Sequence, residues 1–370
     1  MSFKIGKQLF QHPVADGGGT RRQPEPITDR IKQRNAPDTG YTLRISTPGC
    51  NLKCVYCRTQ KKFDVESISN EELLDVIRAS IENGVYSLRW TGGEPTILPG
   101  FIDLVGQARQ EGIKHQMLST NGTLLYPMEE GLKEAGIERV NISLDTLDRN
   151  KYAQITGADL LEEVIRAIKK ATTVFDLTKI NSVLQKASFE EIPAMIEFVA
   201  SLRAPKQIVL RYIELVKGGF QGDREYVDDQ HRSNQQAIEL VRSIFGPVED
   251  VSVEGDNPMC YYKRIVQNGV TMGFVPNFST DYSCGGKKCK KLRISPTGFM
   301  SNCSIYQQFG HDLKGTTYEE KVATIKHIVE EKMARGEEDF KKLRHYQTDY
   351  QFWRFGAPST QRMDDDKGPK

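Results

Sequence analysis

From residue 41 onward, short apolar runs alternate with longer segments of helical spacing. Strand-like runs fall near 41–46, 86–91, 114–119, 138–144, 179–185 and 207–214. Between the fourth and fifth, Leu161, Val164, Ile165 and Ile168 recur at steps that place them on one helix face, as core. Two helices open on capping-box patterns, Ser69-x-x-Glu72 and Ser188-x-x-Glu191. Strand and helix in regular alternation predict βαβ units around a parallel sheet. Six such units are fewer than the eight of a closed barrel.

The strand interiors break the expected pattern. Strands covered on both faces read as nearly continuous apolar runs, yet here cations interrupt them. Arg44 lies between Leu43 and Ile45, Arg89 between Leu88 and Trp90, and Arg211 between Leu210 and Tyr212, while Lys179 and Asn181 flank Ile180. Alternation puts each cation on the face opposite its apolar neighbours. With helices over the apolar face, the cations point inward, where unpaired charge is costly. Either acids such as Glu94, Asp145 and Glu214 pair with them, or an anionic ligand does.

After Glu214 the rhythm stops. Residues 216–232 read as a long polar loop, followed by a helix near 233–245 and strand-like runs around 260–266 and 270–275. A turn at Pro296-Thr297-Gly298 predicts a hairpin that brings Cys289 and Cys303 together. A helix is expected near 318–335, and the last fifteen residues read as disordered. Residues 1–40 are turn-rich and read as a solvated arm. Gly17-Gly18-Gly19 lacks the Gly-Lys-Ser/Thr of a phosphate loop.

Bulk properties narrow the class. Lys plus Arg is 51 against 49 Asp plus Glu, so no global field points to nucleic acid. No apolar run approaches the roughly 18 residues of a membrane span, and Met1 to Gln11 has no signal-peptide core. Seven cysteines, mostly in two groups, argue against a disulfide framework and for the reducing cytoplasm.

The chemistry concentrates in Cys50-Asn-Leu-Lys-Cys54-Val-Tyr56-Cys57, directly after the first strand-like run. Soft thiolates select zinc, copper(I) or iron–sulfur clusters. Structural zinc closes with a fourth protein ligand, and no Cys or His follows within fifty residues. Three thiolates suit a cubane with one open iron. A redox dithiol and unrelated buried cysteines are the competing readings. Downstream, Cys284, Cys289 and Cys303 form a second group, either a zinc knuckle or a second cluster, with Cys260 available as a fourth ligand.

The cysteine trio with Tyr56, followed by Thr91-Gly92-Gly93-Glu94-Pro95, resembles the radical S-adenosylmethionine (SAM) superfamily. The resemblance implies a partial (β/α)6 TIM-like barrel and a [4Fe–4S] cluster on Cys50, Cys54 and Cys57. It also implies SAM beside Tyr56, Gly92, Gly93, Glu94, Ser119, Asn121 and Ser143, with a flavodoxin or ferredoxin as electron donor. From about Thr28 to Tyr306 the chain is further similar to the GTP 3′,8-cyclase family. Leu43-Arg-Ile-Ser46, Ser119-Thr-Asn-Gly122, Val140-Asn-Ile-Ser-Leu-Asp-Thr-Leu147, Arg211-Tyr-Ile-Glu214 and Cys289-x13-Cys303 carry that similarity. It implies phosphate contacts by Arg44, Arg89, Lys179 and Arg211, with Asn181, Lys291 and Arg293 nearby. An auxiliary [4Fe–4S] cluster would be held by Cys284, Cys289 and Cys303.

The chain departs from that family's pattern at several points. Four residues separate Cys284 from Cys289 where the family has two, Ser87 replaces a lysine, Lys291 replaces an arginine, and Cys260 is an extra thiol. Two further substrate classes therefore stay open: another nucleoside, nucleotide sugar or sugar acid, and a peptide. A non-enzymatic iron–sulfur or zinc scaffold is the remaining reading. The expected layout is an arm at 1–40, the barrel at 41–216, an auxiliary-cluster domain with its helix at 217–355, and a tail at 356–370. A monomer or homodimer is expected, and no general base stands out.

Overall fold

The computed structural model describes residues 36–57, 66–204, 207–215, 224–253, 260–275, 289–302 and 310–334. Cys284, Cys303, most of the N-terminal arm and the tail lie outside that set.

Six strands correspond to the six apolar runs: β1 (Thr42–Thr47), β2 (Ser87–Gly92), β3 (His115–Thr120), β4 (Ile137–Ser143), β5 (Leu177–Leu184) and β6 (Gln207–Glu214). They pair in sequence order, all parallel. The C-terminal part adds β7 (Val248–Val251), β8 (Tyr261–Ile265), β9 (Thr271–Val275), β10 (Lys291–Ile294), β11 (Phe299–Ser301) and β12 (Gly310–Asp312). β10 joins β1 in parallel and β9 joins β6 in parallel, so the later strands extend both edges of one sheet. The order is β12-β11-β10-β1-β2-β3-β4-β5-β6-β9-β8-β7, and the sheet stays open. The fold is therefore α/β with a parallel-rich sheet.

The helices that cover this sheet are α1 (Asn70–Glu82), α2 (Phe101–Glu111), α3 (Glu129–Ala135), α4 (Arg149–Thr156), α5 (Leu161–Val174), α6 (Lys186–Phe189) and α7 (Ile192–Ser201). α8 (Arg224–Gln230), α9 (Asn234–Phe245) and α10 (Tyr318–Ala334) follow. The outer strand face supplies the core: Leu43, Ile45, Leu88, Trp90, Leu118, Val140, Ile142, Ile180 and Leu210 are all buried against the helices. Each such side chain contributes roughly 1.5–3 kcal/mol of burial. Trp90 meets Phe101 edge-on at 5.5 Å and donates Nε1–H to Gln116 Oε1 at 2.9 Å, so its one polar atom is satisfied.

The Ser69 capping box forms, with Ser69 Oγ accepting from Glu72 N and the Glu72 carboxylate accepting from Ser69 N. The one at Ser188 does not. Glu191 turns to Thr146 Oγ1, the Leu147 amide and Lys151 Nζ at 2.6, 3.1 and 2.7 Å, and tertiary partners win over the local cap. Within the segment read as a loop, residues 224–230 form α8. Among the described residues, no helix is long and apolar enough to cross a membrane.

Candidate active site

Two glycines decide where the first cysteine loop can lie. Gly93 N donates to Thr47 O and Glu94 N to Gly49 O, which fastens the end of β2 against the start of the loop. A Cβ on Gly93 would stand 1.6 Å from the Gly49 carbonyl oxygen, and one on Gly92, at φ +112°, would stand 2.3 Å from Thr47 N. No side chain fits either position. On its other flank the loop is held by α4, through Lys53 N to Thr156 O and Val55 N to Ile155 O.

Inside the loop, Cys50 Sγ accepts from Leu52 N at 3.4 Å and from Asn121 Nδ2 at 3.8 Å. Burial pushes the Cys54 thiol well up, and negative charge at Asp145, Cys57 and Cys50 pushes it further. Burial raises the Cys50 thiol as well, and a cationic centre that draws such protons off is the chemistry of a metal-cluster ligand. Among the described residues, no three Cys, His, Asp or Glu side chains close on a single ion. A cubane distributes its three protein sulfurs over three irons.

The side chain of Glu94 is taken up beside this centre, near enough for its charge to raise the Cys50 thiol. It is fully buried, with Oε1 accepting from Thr96 N, Thr96 Oγ1 and Thr120 Oγ1 and Oε2 from Asn121 N. It braces the turn after β3 through both carboxylate oxygens. Asp145 is similarly occupied: Oδ2 accepts from the Tyr56 hydroxyl at 2.5 Å and Oδ1 from Val183 N at 2.7 Å. Burial raises its pKa to about 6 against the pull of those two bonds. Neither carboxylate is therefore directed at the strand cations, and of the two inward-charge readings the acid-paired one fails at both.

The cations lie on the inner face in registered levels. Arg44 is level with Arg89 on β2 and with Arg293 on β10. Burial, then Arg89, Arg293 and Arg211, lower the Arg44 guanidinium to about 9. Lys291, one level nearer the N-terminal end, is lowered to about 8 by burial and then Arg44. Burial also lowers Arg293, whose Nε donates to Ser46 Oγ at 3.1 Å. Ser143, Asn181 and Arg211 form another level, with Arg211 Nε donating to Asn181 Oδ1 at 2.9 Å. Lys179, 3% exposed, is level with Asn141, which donates to Ser119 Oγ at 2.9 Å.

The cysteine trio and Cys289 stand at opposite ends of the strands. The trio follows β1 at the C-terminal rim of the parallel strands, whereas Cys289 precedes β10 at the N-terminal end. The cation levels lie between them. Cys260 packs with Leu177, Val209, Val253 and Tyr262, over Gly273, which is level with Arg211. Its thiol is thus on the inner side of the sheet.

Sequence reading missed three features of this cavity. Arg139 is level with Met117, itself level with Arg89, so it belongs to the inner face. Its alternation with Val140 and Ile142 pointed the same way, but Glu138 on its other side broke the apolar flank that marks Arg44. Asp145 was visible only as an acid, and its partner Tyr56 had no local signature. Lys332, from α10, reaches Cys289 and resembles an ordinary helix-surface charge in sequence.

Comparison with known proteins is consistent across sequence and fold. The Radical SAM superfamily is matched over residues 45–199. The probable GTP 3′,8-cyclase of Pyrococcus abyssi (strain GE5 / Orsay) is 42% identical over 276 residues, covering 74% of this chain and 87% of its own. The GTP 3′,8-cyclase of Aliarcobacter butzleri (strain RM4018) is 30% identical, covering 78% of this chain and 89% of its own. The crystal structure of Streptococcus suis SuiB bound to S-adenosylmethionine superposes with a TM-score of 0.58 at 18% identity, over 83% of this chain and 71% of that one.

Proposed function

From the premise that this chain belongs to the radical SAM superfamily, and within it to the GTP 3′,8-cyclase family, we propose that it abstracts hydrogen from a nucleotide in the manner of a GTP cyclase. It is an enzyme of cyclase or lyase type, and membership implies a [4Fe–4S] cluster and SAM. When bound and reduced by a flavodoxin or ferredoxin, these supply a 5′-deoxyadenosyl radical. The difficult chemistry belongs to the cofactor, and the chain contributes binding, orientation and exclusion of side reactions.

In this reading Cys50, Cys54 and Cys57 hold the cluster at the rim, with Tyr56 fixed over Asp145. The backbone of Gly92–Glu94 and the side chains of Ser119, Asn121 and Ser143 hold SAM. Arg44, Arg89, Lys179, Arg211, Lys291 and Arg293, with Asn181, bind the triphosphate and keep the reacting sugar away from solvent. Cys284, Cys289 and Cys303 would hold an auxiliary cluster facing the base, with Cys260 as a further candidate ligand. No side chain is assigned as general base.

The observation that carries the reading is the alignment of Arg44, Arg89 and Arg293 on three neighbouring strands, facing inward among further cations. The repulsion and desolvation cost of such an array are offset by an anion of high charge. The test is an anaerobic assay of the reconstituted chain with deuterated GTP, other nucleotides and nucleoside sugars. Deuterium appearing in 5′-deoxyadenosine from GTP supports the cyclase reading. Transfer from another nucleotide alone would move the substrate assignment, and the absence of 5′-deoxyadenosine with every substrate would overturn it.

A further inference from the structure

The C-terminal helix α10 stands outside the strand–helix repeat, yet it is firmly seated. Ile325, Ile328 and Val329 are buried in the main core, Asn83 Nδ2 donates to Val322 O, and Tyr318 donates to Glu82. In its last turn Lys332 is only 6% exposed. A lysine this deeply buried needs partners for its charge. Its ammonium has three N–H donors and no acceptor.

Three acceptors meet it. Lys332 Nζ donates to the Lys291 carbonyl at 2.6 Å, to the Asn302 carbonyl, and to Cys289 Sγ at 3.8 Å. The neighbouring Glu331 accepts from Asn302 Nδ2 at 2.8 Å. Lys291 opens β10, and Asn302 directly precedes Cys303. One turn of helix thus grips both sides of the hairpin that carries Cys289 and leads to Cys303. Of the three acceptors, two are neutral carbonyls. Among these three acceptors a Cys289 thiolate is the one that carries opposing charge, and the Tyr41 ring face lies 5.9 Å from the ammonium.

We propose that Lys332 is a positioning residue for the auxiliary cluster, clamping the two cysteine-bearing segments and donating a charge-assisted hydrogen bond to the Cys289 ligand sulfur. The proposal rests on the auxiliary-cluster reading above. Hydrogen bonds to ligand sulfurs favour the reduced, more negative state of a cluster and raise its reduction potential. Lys332 therefore makes the auxiliary cluster easier to reduce than it would otherwise be. A clamp that only packed the hairpin would leave the potential where it was.

The experiment uses the full chain with Cys50, Cys54 and Cys57 replaced by Ala, so that only the auxiliary cluster is read. Iron content, redox titration followed by electron paramagnetic resonance, and the rate of iron loss to a chelator are compared across Lys332→Met, Lys332→Gln and Lys332→Arg. The Met variant is expected to show a lower midpoint potential and several-fold faster iron loss. Gln, which keeps N–H donors without the charge, falls between, and Arg stays near the parent. Where the Met variant loses its cluster outright, Gln carries the comparison. Met and Gln variants with the parent's potential and iron retention would overturn the proposal. Absence of iron in the triple-cysteine variant with Lys332 intact would instead remove the auxiliary cluster, and this role with it.

Discussion

The Tyr56 hydroxyl donates to Asp145 Oδ2 at 2.5 Å, linking two residues 89 positions apart. It is the bond that joins the cysteine loop to the segment following β4. Asp145 Oδ1 takes the Val183 amide in turn, so the same carboxylate spans the loop, β4 and β5. Tyr56→Phe leaves a buried carboxylate one donor short, a loss of about 1–3 kcal/mol. The three thiols remain, so iron still binds. Expected outcomes are a lower denaturation midpoint and faster release of the first cluster's iron to a chelator, with total iron after reconstitution unchanged.

Gly93→Ala acts on the same loop by a different route. Its Cβ would collide with the Gly49 carbonyl, a backbone atom that has no rotamer by which to move aside. The loop must lift from the end of β2, and the segment that carries the three sulfurs is displaced with it. The variant is expected to lose the first cluster while retaining iron at the second cysteine group. Iron analysis with Mössbauer spectra checks this, and full first-cluster occupancy would contradict it.

Arg44 is predicted to trade stability against binding. Half-buried beside Arg89, Arg293 and Arg211, its guanidinium adds repulsion and desolvation cost in the ligand-free chain. Arg44→Met removes both and keeps an unbranched chain of similar reach. Thermal unfolding of the ligand-free variant should move upward. Affinity for a nucleoside triphosphate should fall ten-fold or more, about 1.4 kcal/mol. Opposite signs in the two measurements are the signature of a charge kept for a ligand rather than for the fold.

Much of this cavity was legible because β1, β2, β5 and β6 place cations among apolar residues at strict alternation. The phase of Leu43-Arg44-Ile45 alone predicts which side Arg44 faces, and the core contains Leu43 and Ile45 as that phase requires. What was illegible depends on distant partners. The pairing of β10 with β1 joins Thr42 to Lys291 across most of the chain and has no local signature. Glu191 matches a cap pattern in sequence but has better partners in Thr146, Leu147 and Lys151. Lys332 is indistinguishable in sequence from Lys326, which pairs with Glu330 at the surface.

Glu129, at the start of α3, supplies a prediction independent of the active site. It is 0% exposed, and neither carboxylate oxygen has a hydrogen-bond partner among the described residues. Burial raises its pKa from 4.5 to about 8, with Lys170 pulling weakly the other way. Below the unfolded value both states hold the proton and pH has no effect. Between there and about 8 the unfolded chain ionises first, so stability falls as pH rises. Above about 8 both states are ionised and the loss is complete. Glu129→Gln cannot ionise, so its stability should lack this component. Urea denaturation at several pH values should show the variant gaining on the parent steadily from pH 5 to 8. A constant difference across that range would mean that Glu129 is ionised in the fold, with Lys170 outweighing burial.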